Sequence, residues 1–318
     1  MNLFTTSQLA AWVEQARSIA SQGKLPTYIP LLAQVDSNWV AVAIADSHGE
    51  ILQAGNIDRT FPLMSVVKPF SLLYVLETVG AERVFDRVDR VASTEPFNVI
   101  PQGKPQNPML NAGAIAIASL LPSCDRFCEW LNQQAGTQLY LDERMLASVR
   151  SLSHRRNQEI AQVLEDSGHI ENADAALAIY EQVCCLSATV EDCARLGLLL
   201  ACDRIPSEQN LSGQNSSRQL SRISQKNRQI VTEIVTTCGM YAASAQFMQE
   251  VGLPSKSAVS GIILSLIPER GAIAVYSPTL DEIGNSVAGL FLVKQIDAAF
   301  RAAMNSRSLG TETSHPEP

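Results

Sequence analysis

Hydrophobic and polar positions follow a helical period at both ends of the chain and a strand period just inside them. Over residues 6–21, Leu9, Trp12, Val13 and Ala16 recur at three-to-four spacing behind Ser7, which predicts an amphipathic opening helix. The runs WVAVAIAD (39–46) and ILQAG (51–55) are short and β-rich, and Ser47-His48-Gly49 between them predicts a hairpin. From Ser65 to about Leu76 apolar side chains occupy most of the helical circumference, the mark of a buried helix. Residues 92–112 hold four prolines among Asn, Gln and Gly without any period, so a long ordered loop or coil-rich crossing is expected there. Helical spacing then dominates from Gly113 to about Val235, with segments at 113–120, 125–133, 141–149, 157–166, 171–180 and 189–201. Strand-like sequence returns at 258–267 and 271–277, before a closing helix over 288–304.

Sheet elements thus come from both ends of the chain. The expected fold class is α/β (α+β): a five-stranded-type antiparallel sheet flanked by terminal helices, with a helical lobe inserted between its strands. One two-lobed domain is expected over 1–304, with a sheet lobe at about 1–64 and 236–304 and a helical lobe at about 65–235. Residues 203–227 are rich in Ser, Gln and Asn and read as an exposed connection. If that segment instead packs, Leu211, Leu220 and Ile223 are the side chains to be buried. The polar stretch 305–318 reads as a flexible tail.

Composition narrows the chemistry. With 46% hydrophobic and 18% charged residues in 318, the chain has the material for a sizeable core and falls outside the disordered class. A net charge of −8 argues against a nucleic-acid partner, which would need a broad basic face. Seven cysteines, an odd number in mostly apolar contexts with no secretory signal ahead of them, predict a reduced, cytoplasmic protein. No apolar run reaches the roughly 18 residues of a membrane span. The four histidines are scattered, and Cys124-x-x-x-Cys128 lacks a second pair, so neither a metal nor another cofactor is expected.

One short segment has the ingredients of nucleophilic catalysis. Met64-Ser65-Val66-Val67-Lys68-Pro69-Phe70 contains Ser-x-x-Lys followed by proline, which fits only the first turn of a helix and so sets the helix start at or just before Val66. Three-residue spacing brings the Lys68 amine toward the Ser65 hydroxyl, and the helix N-terminus favours developing negative charge beside it. Apolar neighbours lower a lysine pKa and would make Lys68 a general base. Taken alone, the motif also fits a helix cap beside a snorkelling lysine. Tyr180 and Tyr241 fit core tyrosines, and Asn111 and Asn157 fit helix caps.

Further segments occur in a fixed order around that motif: Tyr28-Ile29-Pro30, Pro96-Phe97-Asn98, Lys104-Pro105-Gln106-Asn107-Pro108 running to Asn111-Ala112-Gly113, Arg156-Asn157, Tyr180 with Cys184, Cys238-Gly239-Met240-Tyr241, Gly252-Leu253-Pro254-x-Lys256-Ser257, and Ser277-Pro278 through Gly284-Asn285-Ser286. In these the chain resembles the serine-dependent glutaminases from about Tyr28 to Val287. The resemblance implies a β-lactamase-like serine-hydrolase fold, L-glutamine as substrate, and a homodimer or homotetramer. It implies Ser65 as nucleophile, Lys68 as base, and Tyr180 and Tyr241 as further catalytic groups. Tyr28, Asn111, Asn157 and the backbone of Val259 would join Ser65 and both tyrosines around the substrate, and the Ser65 and Val259 N–H groups would form the oxyanion hole. Lys256 matches the lysine of the strand signature of β-lactamase-like enzymes, with Ala258 in place of its glycine.

Five positions depart from the family pattern. Met64 replaces glutamine, Cys185 replaces serine, Ala242 replaces aspartate and Ile262 replaces glycine. Seven residues ahead of Asn157, where the family carries a glutamate for the substrate's α-ammonium, stands Arg150. Two readings follow: a glutaminase working through a seryl acyl-enzyme, or a divergent member that takes another amide or ester, or merely binds a small ligand. A pocket-facing Arg150 predicts that Arg150→Glu raises glutaminase activity; a solvent-facing one, or one paired with Asp142 or Glu143, predicts no change.

Overall fold

Strand β1 (Ala41–Asp46) alternates small and branched side chains, and the two sets face different cores. Ala41, Ala43 and Ala45 join one hydrophobic cluster while Val42 and Ile44 join another, as a period of two requires of a strand buried on both faces. Strands β2 (Ile51–Gly55), β6 (Ser255–Ser257), β7 (Ile262–Ile267) and β8 (Gly271–Tyr276) complete a five-stranded antiparallel sheet in the order β2-β1-β8-β7-β6. Both ends of the chain supply it, as the pattern predicts. This computed structural model describes residues 4–152, 154–203 and 223–311.

Each face of the sheet has its own cover. The branched face (Val42, Ile44, Ile273, Val275) packs against Leu9, Val13 and Ala16 of α1 (Thr6–Ala20) and Leu292, Val293 and Ile296 of the closing helix α12 (Val287–Thr311). Against the small face lies α9 (Val190–Ala201). Gly197 sets that approach: a Cβ there would sit 2.4 Å from the Ala272 Cβ and 2.9 Å from Leu264 Cδ1. Gly197→Val is therefore expected to push helix from sheet and lower stability by about 1–3 kcal/mol, read as a shifted urea midpoint.

The inserted part is helical: α2 (Lys68–Thr78), α3 (Ala81–Arg87), α4 (Asn111–Ala118), α5 (Cys124–Ala135), α6 (Glu143–Leu152), α7 (His154–Asp166), α8 (Ala173–Cys184), α10 (Gln225–Cys238) and α11 (Ser244–Glu250). Helix α4 is buried along its whole length. Three very short strands, β3 (Phe61–Pro62), β4 (Tyr140–Leu141) and β5 (Leu186–Ala188), form a second sheet in the order β3-β5-β4.

Three expectations need correction. The strand expected over 258–267 begins only at Ile262, as β7; residues 258–261 are a turn, in which Gly261 takes φ +97°, that joins it to an unexpected β6 just before. Helix α12 runs on to Thr311, so residues 305–311 are helical rather than tail, while 312–318 lie outside the described residues. The polar connection ends earlier than Asn227: Ile223 is buried, and the Ser224 N–H and Asn227 amide donate to Glu77 Oε1 of α2 at 3.0 and 2.8 Å. The stretch 204–222, with Leu211 and Leu220, lies outside the described residues.

Candidate active site

Ser65 sits on a 3-10 turn, Met64–Val67, that runs directly into α2 at Lys68. The α-helix therefore starts two residues later than the proline placement predicts. The 3-10 geometry eclipses residues three apart, which sets Lys68 over Ser65. Met64 adopts φ 44°, a strained value for a residue with a side chain, and Tyr241 across the cleft adopts φ 55°.

Lys68 is 2% exposed, so its amine must find partners inside the protein. Its Nζ donates to the Met109 carbonyl at 2.9 Å and to Asn111 Oδ1 at 2.8 Å. Burial disfavours the ammonium and draws the Lys68 pKa down to about 8, with Cys184 pulling the other way. This lysine does not snorkel.

Asn111 opens α4 without capping it: residue Leu110 holds the cap position, and the amide side chain turns to the cleft instead. Its Oδ1 accepts from Lys68 and from the Tyr180 hydroxyl at 3.1 Å, while its Nδ2 donates to Asn157 Oδ1 at 3.0 Å. Gly113 permits this placement, because a Cβ there would lie 2.1 Å from the Asn107 carbonyl oxygen. The preceding loop closes over the same helix, with the Asn111 N–H donating to the Phe97 carbonyl and Arg156 Nε to that of Asn98.

From the sheet side comes a second group. The Tyr241 hydroxyl donates to the Ser257 carbonyl at 3.2 Å and also meets the Ser65 hydroxyl; burial pushes its pKa up to about 12. Burial raises that of Tyr180 as well. Lys256, 1% exposed, donates to the carbonyls of Gly239 (3.0 Å) and Ser257 (2.6 Å), and lies 4.4 Å from the Tyr241 ring centroid. Desolvation and the nearby Lys68 charge hold its pKa well below the usual lysine range. The Ser65 and Val259 N–H groups donate to no other group of the described chain.

The sequence-predicted residues converge. Tyr28, Ser65, Asn111, Asn157, Tyr180 and Val259 line one cleft of about 180 Å³, with Tyr28 at its rim, 44% exposed. That volume is below the roughly 300 Å³ of pockets for drug-sized ligands, so the cleft suits a small metabolite. Lys68 lies beneath, joined through Asn111, and Tyr241 reaches Ser65 from the side. Arg150 does not line the cleft and its side chain is 42% exposed, as the solvent-facing alternative expects, but its partner is neither Asp142 nor Glu143: its Nε donates to Glu181 Oε2 of α8 at 2.9 Å. Glu181 lines the cleft and is absent from the sequence-predicted site. Its one signal is a carboxylate directly after the apolar run 175–180.

Comparison with known proteins bears on this geometry. The Glutaminase family profile matches residues 23–304. The glutaminase of Synechocystis sp. is 40% identical, covering 96% of this chain and 90% of its own, and glutaminase 2 of Bacillus subtilis is 31% identical over 93% and 97%. Among solved structures, the probable glutaminase of Bacillus subtilis complexed with 6-diazo-5-oxo-L-norleucine aligns with a TM-score of 0.81 at 30% identity, over 95% of this chain and 96% of that one.

Proposed function

The chain belongs to the glutaminase family and hydrolyses L-glutamine to L-glutamate and ammonia; we propose that it does so through a seryl acyl-enzyme on Ser65. Its fold is the β-lactamase-like one that the resemblance implies. The observation that supports the proposal is that Ser65 lines the cleft wall three residues ahead of a buried Lys68 whose pKa is drawn to about 8.

Ser65 Oγ attacks the δ-carbon of the side-chain amide, and its proton passes to neutral Lys68 Nζ. The carbonyl oxygen becomes an oxyanion, which the otherwise unused N–H groups of Ser65 and Val259 are available to receive. Collapse breaks the C–N bond, and ammonia leaves with a proton supplied from Lys68 through the Tyr241 hydroxyl, which meets Ser65. Water, deprotonated by the same amine, then attacks the ester and frees glutamate. Tyr28, Asn157, Asn111 and Tyr180 hold the amino-acid end. No step calls for a cofactor.

This reading takes residues 1–304 as one two-lobed catalytic domain, cytoplasmic, and assembled as a homodimer or homotetramer. All seven cysteines are free thiols, which supports a reducing compartment. Among the described residues no helix is long and apolar enough to cross a membrane.

Purified protein is expected to release ammonia and glutamate from L-glutamine in equal amounts; release of neither overturns the reading. Because the base must be the neutral amine, kcat/KM should fall as pH drops below about 8 and Lys68 takes up a proton, by about tenfold per unit well below that value. A flat profile from weakly acidic to alkaline pH removes Lys68 from the role of base.

A further inference from the structure

L-Glutamine enters a site with two opposite charges at its α-carbon, and burying an ammonium without a partner is costly. The carboxylate that the resemblance expects at position 150 is an arginine in this chain. Among the described residues that line the cleft only two side chains carry charge, Glu181 and Arg156. Arg156 is half-exposed and shares its guanidinium between Glu159 and the Asn98 carbonyl. Glu181 is 3% exposed, and its neighbour Tyr180 is the residue that anchors Asn111.

We infer that Glu181 receives the α-ammonium of the substrate, and that Arg150 is the positioning residue that holds this carboxylate at the cleft wall. The inference rests on the glutaminase reading above. An anionic side chain so thoroughly buried acts through a lower effective dielectric than a surface carboxylate, so it discriminates strongly between a ligand with an amine and one without. Arg150 offsets the cost of burying that charge. It does so from behind: its side chain is 42% exposed and stands off the cleft wall, with its Nε on Oε2. The acidic function has thus moved from α6 to α8, and the arginine left on α6 supports it.

The test compares L-glutamine with glutaramate, the same molecule lacking the α-amine. For Glu181→Gln the ratio of kcat/KM for L-glutamine over glutaramate is expected to fall by about tenfold or more, as for loss of a buried charge partner. A smaller fall overturns the inference. Should Glu181→Gln fail to fold, Arg150→Gln carries the test: the untethered carboxylate should raise KM for L-glutamine more than it lowers kcat, and Arg150→Lys should restore KM. A KM for Arg150→Gln equal to that of wild type overturns the positioning role. The two levels fail differently. Wild type that releases no ammonia from L-glutamine removes the family reading and this inference with it, whereas an active wild type with an unchanged ratio in Glu181→Gln removes the inference alone.

Discussion

Ser65→Ala is expected to abolish ammonia release from L-glutamine, and Lys68→Met to lower kcat by at least about a hundredfold, the low end for losing a general base. The serine change removes one oxygen from a residue already packed on its turn, so folding should be intact by circular dichroism. Methionine copies the length and apolar stem of the lysine and leaves no charge to bury. Its cost to the fold is limited, because Asn111 Oδ1 still accepts from the Tyr180 hydroxyl after the amine is gone. The Met109 carbonyl alone loses its donor, a deficit of about 1–3 kcal/mol. A folded Lys68→Met protein with near wild-type turnover would rule out the dyad.

The second large effect is expected from Asn111→Asp, which changes almost no volume. It puts a carboxylate 2.8 Å from the Lys68 amine, and a negative charge there favours the ammonium. The lysine pKa should therefore rise above its value of about 8 by roughly 1–3 units. At neutral pH the neutral base becomes about tenfold scarcer or more, and the acid limb of kcat/KM moves to higher pH by the same shift. Asn157 can meet the new oxygen by turning its amide to donate, so the network can survive the exchange. An acid limb that stays where it is in wild type would mean that some other group titrates.

Much of this architecture is legible in the residue pattern because each long element buries one face or all of itself. The alternation in 39–46 and 271–277 gives strands with two buried faces, and the unbroken apolar run after Ser65 gives a buried helix. The second sheet is not legible, since strands of two and three residues are shorter than any period. The turn at 258–261 hides inside an apolar run for a similar reason: Ala258 and Val259 look like strand, and only Gly261 signals a reversal. Ile223 reads as one apolar residue in a polar tract, yet it is the point where the chain docks again on the core.

The site divides in the same way. Ser65, Lys68, Asn111, Asn157, Tyr180, Tyr241, Tyr28 and Val259 are recognisable as an ordered set, and the cleft unites them. Arg150 shows the limit. A charge inversion at one position carries no information about a carboxylate 31 residues away on another helix, and only packing reveals the pair. Arg150→Glu, which the sequence expects to raise turnover or leave it unchanged, sets two carboxylates against each other and is now expected to lower it.

The strand order has a consequence for synthesis. Strand β8 lies between β1 and β7, although it is the last strand to leave the ribosome. Ser65 and Lys68 emerge early, on a segment whose partners Tyr241, Lys256 and Val259 are still untranslated. Until residues up to 276 are free, β1 has only β2 beside it and half of its hydrogen-bonding edge is open. Such a nascent chain must wait, shielded from aggregation, for pairings between distant segments, which are intrinsically slow to form. It also has nothing with which to hydrolyse glutamine: the amino-acid pool on which translation draws is exposed to this activity only after the chain that carries it is nearly complete.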